Sequence, residues 1–222
     1  MDDLFDIINI ARGLILISAF GFVFYFGRDF FNYGFRLIDN EKYEEAMEVL
    51  RSRIKKNPNK GNLYLGLGFC YFMLGYFNHA HNYFLEALAK GCKADRLYCY
   101  LIVALLEIDP KAGNVQVYIE RAGELDQDMV AWIHFKRGEH REAIAIVERF
   151  HDQWQETFRK HSSGNATVYF RLAMLLKLDH QQDKAQKYFN ETISSAPKSI
   201  FAQYARQEIE KMVAGCEVDN VV

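Results

Sequence analysis

Apolar residues in this chain fall in short blocks at helical spacing, and the blocks repeat. The first block holds Phe30, Tyr33, Gly34 and Leu37, then Tyr43, Ala46 and Leu50. Thirty-four residues on, the same offsets hold Tyr64, Leu67, Gly68 and Tyr71, then Phe77, Ala80 and Phe84. Steps of three and four put each set on one face of a helix, and the wider gap in each block separates two helices. A fixed period of this kind marks a repeat array. Each unit is a helix–turn–helix that cannot bury its apolar face alone, so neighbouring units must stack. The small residues have steric work to do. Gly34 and Gly68 stand where the first helix of a unit meets its second, and Ala46 and Ala80 answer them from the other side. Tyr43 and Phe77 open the second helix and fill the space between hairpins, while Tyr33, Leu37, Leu67 and Tyr71 fill core slots on the first. Gly75 marks a turn where positive φ is cheap. Pro58 stops a second helix, since the residue before a proline is driven out of the helical region.

The pattern continues in weakened form. A third unit starts near Asp95, with Tyr98, Leu101 and Leu105 on its first helix. Ile102 replaces the small residue, Asp109–Pro110 marks the turn, and the second helix runs Val115–Ala122 through Ile119. A fourth unit reads as Met129–Lys136, a turn at Arg137–Gly138, then Ala143, Val147 and Phe150. A fifth is clear again: Tyr169, Leu172, Ala173 and Leu176 lead to Ala185, Phe189 and Pro197. Phe201–Met212 then reads as an amphipathic capping helix, as the end of a solenoid requires.

Units of this length with these residues resemble the tetratricopeptide repeat (TPR) family. The resemblance covers about residues 27–213 and is most specific in units one, two and five. It implies an all-α, TPR-type helical-hairpin solenoid of about five repeats plus a capping helix, with a protein-binding role and no catalytic one. In TPR proteins the concave groove is lined by one face of the first helices. The register carries that face to Arg28, Phe31, Phe35, Ile38 and Asp39 in unit one, and to Asn62, Leu65, Phe69, Phe72 and Met73 in unit two. In unit three it reaches Arg96, Cys99, Val103, Leu106 and Glu107. Some TPR domains hold the acidic C-terminus of a chaperone with lysine, asparagine and arginine there. Phenylalanines occupy the equivalent slots here. The expected partner is therefore a protein that docks an amphipathic or apolar helix on Phe31, Phe35, Ile38, Leu65, Phe69, Phe72, Met73 and Val103. The same aromatic stripe also fits a second reading, in which it packs against neighbouring helices of a tight superhelix.

Residues 1–26 precede the array and read as an N-terminal hydrophobic helix; residues 214–222 follow it as a tail. Gly13 to Gly27 is uncharged, with Leu14, Ile15, Leu16, Ile17, Phe20, Phe22, Val23 and Phe24 facing every direction. An all-round apolar helix is a membrane anchor or a buried cap on the first repeat. The anchor is the expectation here: a span needs about 20 residues, and the run reaches that length only by extension toward Leu4, with Arg12 snorkelling at one end and Arg28 standing at the other. The acidic start (Asp2, Asp3, Asp6) does not suit a secretory signal. Basic residues follow the span, among them Arg28, Arg36, Lys42, Arg51, Arg53, Lys55 and Lys56, which places a single-pass protein with its repeats on the cytoplasmic side. Gly13, Ile17 and Gly21 share a face that would let other membrane helices approach, as in a subunit or assembly factor of a membrane complex. An alternative is a soluble adaptor whose N-terminal helix lies in its own groove until a partner displaces it.

Composition narrows the rest. Half the residues are hydrophobic and a quarter charged, with 3 prolines, a balance that suits a packed helical core. A net charge of -2 leaves no electrostatic footprint for nucleic acid. Cys70, Cys92, Cys99 and Cys216 have no metal spacing and no disulfide framework, which fits a reducing compartment. The histidines are scattered, with no HExxH motif, nucleophile elbow or phosphate loop. No cofactor or metal is expected.

Overall fold

The structure is a computed structural model that describes residues 33–94, 96–122, 125–158 and 166–219, with the backbone alone for 150–158 and 215–219. Every regular element among them is helical. Helix α1 is described over residues 33–39. It is followed by α2 (Tyr43–Lys56), α3 (Gly61–Met73), α4 (Phe77–Ala89), α5 (Leu97–Ile108), α6 (Val115–Ala122), α7 (Gln127–Lys136), α8 (His140–Phe158), α9 (Ala166–Leu178), α10 (Gln182–Ser195) and α11 (Ile200–Asp219). Consecutive helices pair as five hairpins, each packs on the next, and α11 covers the last. This is the expected array of five units and a cap. The hydrophobic helix expected over residues 1–26 lies outside the described residues.

The turns show the period most directly. Glu41, Gly75, Gly138 and His180 all have positive φ, at +55°, +82°, +79° and +57°. Each ends the first helix of its hairpin, and the next residue's N–H reaches back five residues to close the last turn. Those bonds are Lys42 to Leu37, Tyr76 to Tyr71, Glu139 to His134 and Gln181 to Leu176, at 2.8–2.9 Å. This is the Schellman arrangement, whose left-handed residue is usually glycine. Two of the four hairpins place a side chain there instead. The third hairpin turns differently. Asp109 precedes Pro110, is held extended at φ -145°, and its carboxylate accepts the Lys111 N–H at 2.9 Å. The longer connection leads to the short α6.

Packing follows the small positions. Ala46, Ala80, Ala143 and Ala185 are fully buried at the same offset in four second helices. Four residues further along, Leu50, Phe84, Val147 and Phe189 are equally buried. A methyl group on Gly68 would lie 2.7 Å from Phe84 Cδ1, and one on Gly34 would lie 3.1 Å from Leu50 Cδ2. The helices touch because these positions lack side chains. Cys70 is buried in the same core, which pushes its thiol up to about 12.

One expectation about the core fails at Tyr33, which is 45% exposed. It stands at the lip of a cavity of about 410 Å³, bordered by Val49, Ser52, Arg53 and Leu63. Tyr71 is also not a simple core residue, because it joins a surface stack described below.

Candidate interaction site

The first helices α3, α5, α7 and α9 form an inner wall, and their facing side chains are aromatic. Phe69 meets Tyr100 edge-on at 5.4 Å, and Phe72 lies 5.8 Å from the same ring. Further along, Trp132 stacks on Phe135 at 5.1 Å and meets Phe170 at 6.2 Å. The wall carries two charged ties between hairpins. Lys136 donates to Glu107 at 2.9 Å, and Arg171 is paired with Asp128 where both are buried. Beside that pair lies a cavity of about 30 Å³, bordered by Arg96, Cys99, Thr167 and Arg171, with room for a single water. Among the described residues the Nε of Arg171 has no hydrogen-bond partner.

The wall is not open. Phe72, Met73 and Val103, expected to face a partner, are 0%, 4% and 2% exposed. Phe201 of α11 covers Phe72 at 5.2 Å and also meets Phe170 at 5.7 Å. Tyr204, one turn along α11, meets Phe170 at 5.9 Å. Leu106, at another groove slot, is fully buried. Phe35, Ile38, Leu65 and Phe69 are half-buried. The ring of Phe35 rests on Gly66, where an added methyl would sit 3.0 Å away. Asp39 and Asn62 are exposed, and Asn62 accepts the Cys92 S–H at 3.1 Å. Phe31 and the anchor residues Leu14, Ile15, Leu16, Ile17, Phe20, Phe22, Val23 and Phe24 lie outside the described residues, as does Arg28. Phe69 and Phe72 thus lie on one wall with Tyr100, and the chain's own last helix lies over much of it. A tight superhelix closes on its inner face.

Glu208 fixes that helix further along. It receives Lys177 of α9 at 2.5 Å and Lys211 of α11 at 2.6 Å. Burial opposes its ionisation, but the two lysines outweigh burial and hold the carboxyl below its ordinary range.

A second surface was not singled out from sequence. Tyr71 stacks on Tyr83 at 5.3 Å with the rings 7° from parallel, and on His79 at 5.1 Å. Arg51 donates to the Tyr71 hydroxyl and lies over its ring at 5.8 Å. Tyr76, at the rim, is 57% exposed. The available signal was chemical: polar aromatics and histidine occupy slots that a purely apolar core would fill with leucine.

Among the described residues no helix is long and apolar enough to cross a membrane, and no cluster of His, Cys, Asp or Glu could hold a metal ion.

Comparison with known proteins adds to this geometry. The tetratricopeptide repeat family model matches residues 130–198, the fourth and fifth hairpins. No curated protein matches significantly. Among solved structures, the chain is similar to TTC0263, a thermophilic TPR protein of Thermus thermophilus. The identity is 17% and the TM-score 0.51, over 82% of this chain and 98% of that one. YrrB, described as a TPR protein with an unusual peptide-binding site, aligns at 19% identity and TM-score 0.47 over 80% and 90% of the two chains. MamA aligns at 20% identity and TM-score 0.47 over 77% and 92%. The TPR resemblance is supported in sequence over the last two hairpins and in fold over the array.

Proposed function

We propose that this chain is a membrane-tethered TPR-type scaffold that binds a protein partner through the aromatic inner wall of its hairpin array. The observation that carries the reading is the wall itself. Aromatic side chains of α3, α5, α7 and α9 converge on one strip, supplied by separate repeats. A strip of that kind suits the apolar face of a helix. The match is to a repeat family, and no catalytic family accompanies it. The tether rests on the uncharged segment Gly13–Gly27, with the basic residues after it favouring a cytoplasmic repeat domain. In this reading the partner is held at a bilayer, either alone or as part of a membrane complex that packs on the Gly13–Ile17–Gly21 face. The alternative is a soluble adaptor whose N-terminal helix occupies the groove until a partner displaces it; either occupant would have to take the place of α11 on the wall.

The test is fractionation. The full chain should pellet with membranes and resist carbonate, and a chain starting at Gly27 should not. Protease added to intact cells should spare the repeats. Full-length protein in the soluble fraction without detergent would remove the tether.

A further inference from the structure

The helix α11 caps the fifth hairpin, and its first turn also reaches the opposite end of the array. Phe201, 1% exposed, is wedged between Phe72 of α3 and Phe170 of α9. Ile200 lies against the α3–α4 turn, where a methyl on Gly75 would meet it at 2.9 Å. The Lys198 N–H donates to the Glu41 carboxylate of the first hairpin at 2.8 Å. One turn on, Tyr204 packs on Phe170, and one turn further Glu208 receives Lys177. Phe201, Tyr204 and Glu208 stand three and then four residues apart, so they share one helix face. That is how a helix docks in a groove: apolar anchors on one stripe and a matched charge beside them.

Resting on the scaffold reading, we infer that α11 is an internal ligand of the inner wall, displaced by the protein partner. The partner's helix carries the same face: an aromatic residue, a second aromatic three positions on, and a carboxylate four beyond that. Charge argues for this occupant. Lys177 is only partly exposed and takes its counter-charge from α11. An incoming helix without a carboxylate would leave a half-buried ammonium unmatched. The seam itself is slight. Among the described residues, it joins the start of α11 to the first two hairpins through the Lys198 N–H on the Glu41 carboxylate, the Phe201 ring against Phe72 and Phe77, and the aliphatic contact of Ile200 at Gly75. Contacts that few open more readily than a hairpin unfolds.

The experiment uses the full chain in detergent micelles and a fluorescein-labelled synthetic peptide of residues 198–214, followed by fluorescence polarisation. Two variants loosen the seam, Ile200→Ala and, more mildly, Glu41→Ala, with circular dichroism confirming that each is folded. The peptide should bind a loosened chain about tenfold or more tighter than the wild type, because an internal competitor lowers apparent affinity by the fraction of open molecules. A peptide with both Phe201 and Tyr204 changed to alanine should bind neither. Equally weak binding to wild type and to a folded variant would overturn the inference. A concentration-dependent dimer that exchanges α11 between copies would also overturn it, making the occupant a second copy. The assay needs no bilayer, so its failure beside intact membrane pelleting concerns α11 alone, and a failed tether leaves it unaffected.

Discussion

At the scale of single residues, two glycines that look equivalent in sequence should behave differently. Gly34 and Gly68 occupy the same slot, and alanine would gain about 1 kcal/mol of helix propensity at either. At Gly68 the new methyl would lie 2.7 and 2.8 Å from ring atoms of Phe84, which is fully buried and has nowhere to go. Overpacking of this kind costs about 1–3 kcal/mol. At Gly34 the nearest atom is a Leu50 methyl at 3.1 Å, the end of a side chain able to yield a few tenths of an ångström. Gly68→Ala should therefore lower the unfolding midpoint, and Gly34→Ala should leave it nearly unchanged. Thermal unfolding of the pair checks this, and equal shifts would contradict the packing argument. The slots themselves were legible from the repeat, because a missing side chain leaves its mark at a fixed offset. Their tightness was not, since it depends on how Phe84 and Leu50 fill the space opposite. The same holds at the turns. Gly75 announces a left-handed residue, but Glu41 and His180 adopt that conformation without any glycine signal. At Glu41 the side chain has a use that a glycine would lack, as the acceptor for Lys198.

At the scale of elements, the attachment of α11 should depend on acid. Glu208 is held below the ordinary carboxylate range of about 4.3 by Lys177 and Lys211, although burial pulls the other way. A carboxyl depressed in the folded state contributes stability above its unfolded pKa and loses it as pH falls through the folded one. Amide exchange over Ile200–Met212 should thus accelerate as pH drops below about 4, measured against the intrinsic exchange rate, while α2 and α3 hold their protection. In Glu208→Gln that acid step should vanish; an unchanged profile would show that the lysine contacts do not hold the helix. Element positions were largely readable. The cap expected at Phe201–Met212 falls within α11, and the weak third and fourth units are true hairpins. The family match lies on hairpins four and five, of which the pattern is sharp in the fifth and weak in the fourth. Pattern matching weighs the named slots, whereas Ala131, Ala143 and Val147 satisfy the packing with less conspicuous residues.

At the scale of the whole molecule, closure is the feature that a single repeat could not announce. Register tells which face of a first helix looks inward, the face that carries Phe69, Phe72, Met73 and Val103. It carries no information on what meets that face from several repeats away. In an open solenoid each repeat contacts only its neighbours, so a lesion in α11 should be felt in α9 and α10 and fade beyond them. Here Phe201 touches Phe72 and Phe77 of the second hairpin as well as Phe170 of the fifth. Truncating a ring this buried costs about 3–5 kcal/mol, and the loss should appear at both ends. Phe201→Ala should deprotect the amides around Phe72–Phe77 along with those of α11, while α7, in the middle of the array, changes less. It should also enlarge the radius of gyration in solution scattering, as the two ends part. Tyr204→Ala is the control, since its ring meets Phe170 on the neighbouring α9; its effect should stay within α9–α11. If both variants leave the α3–α4 turn untouched, the ends of the array are not coupled and Phe201 acts only as a local cap residue.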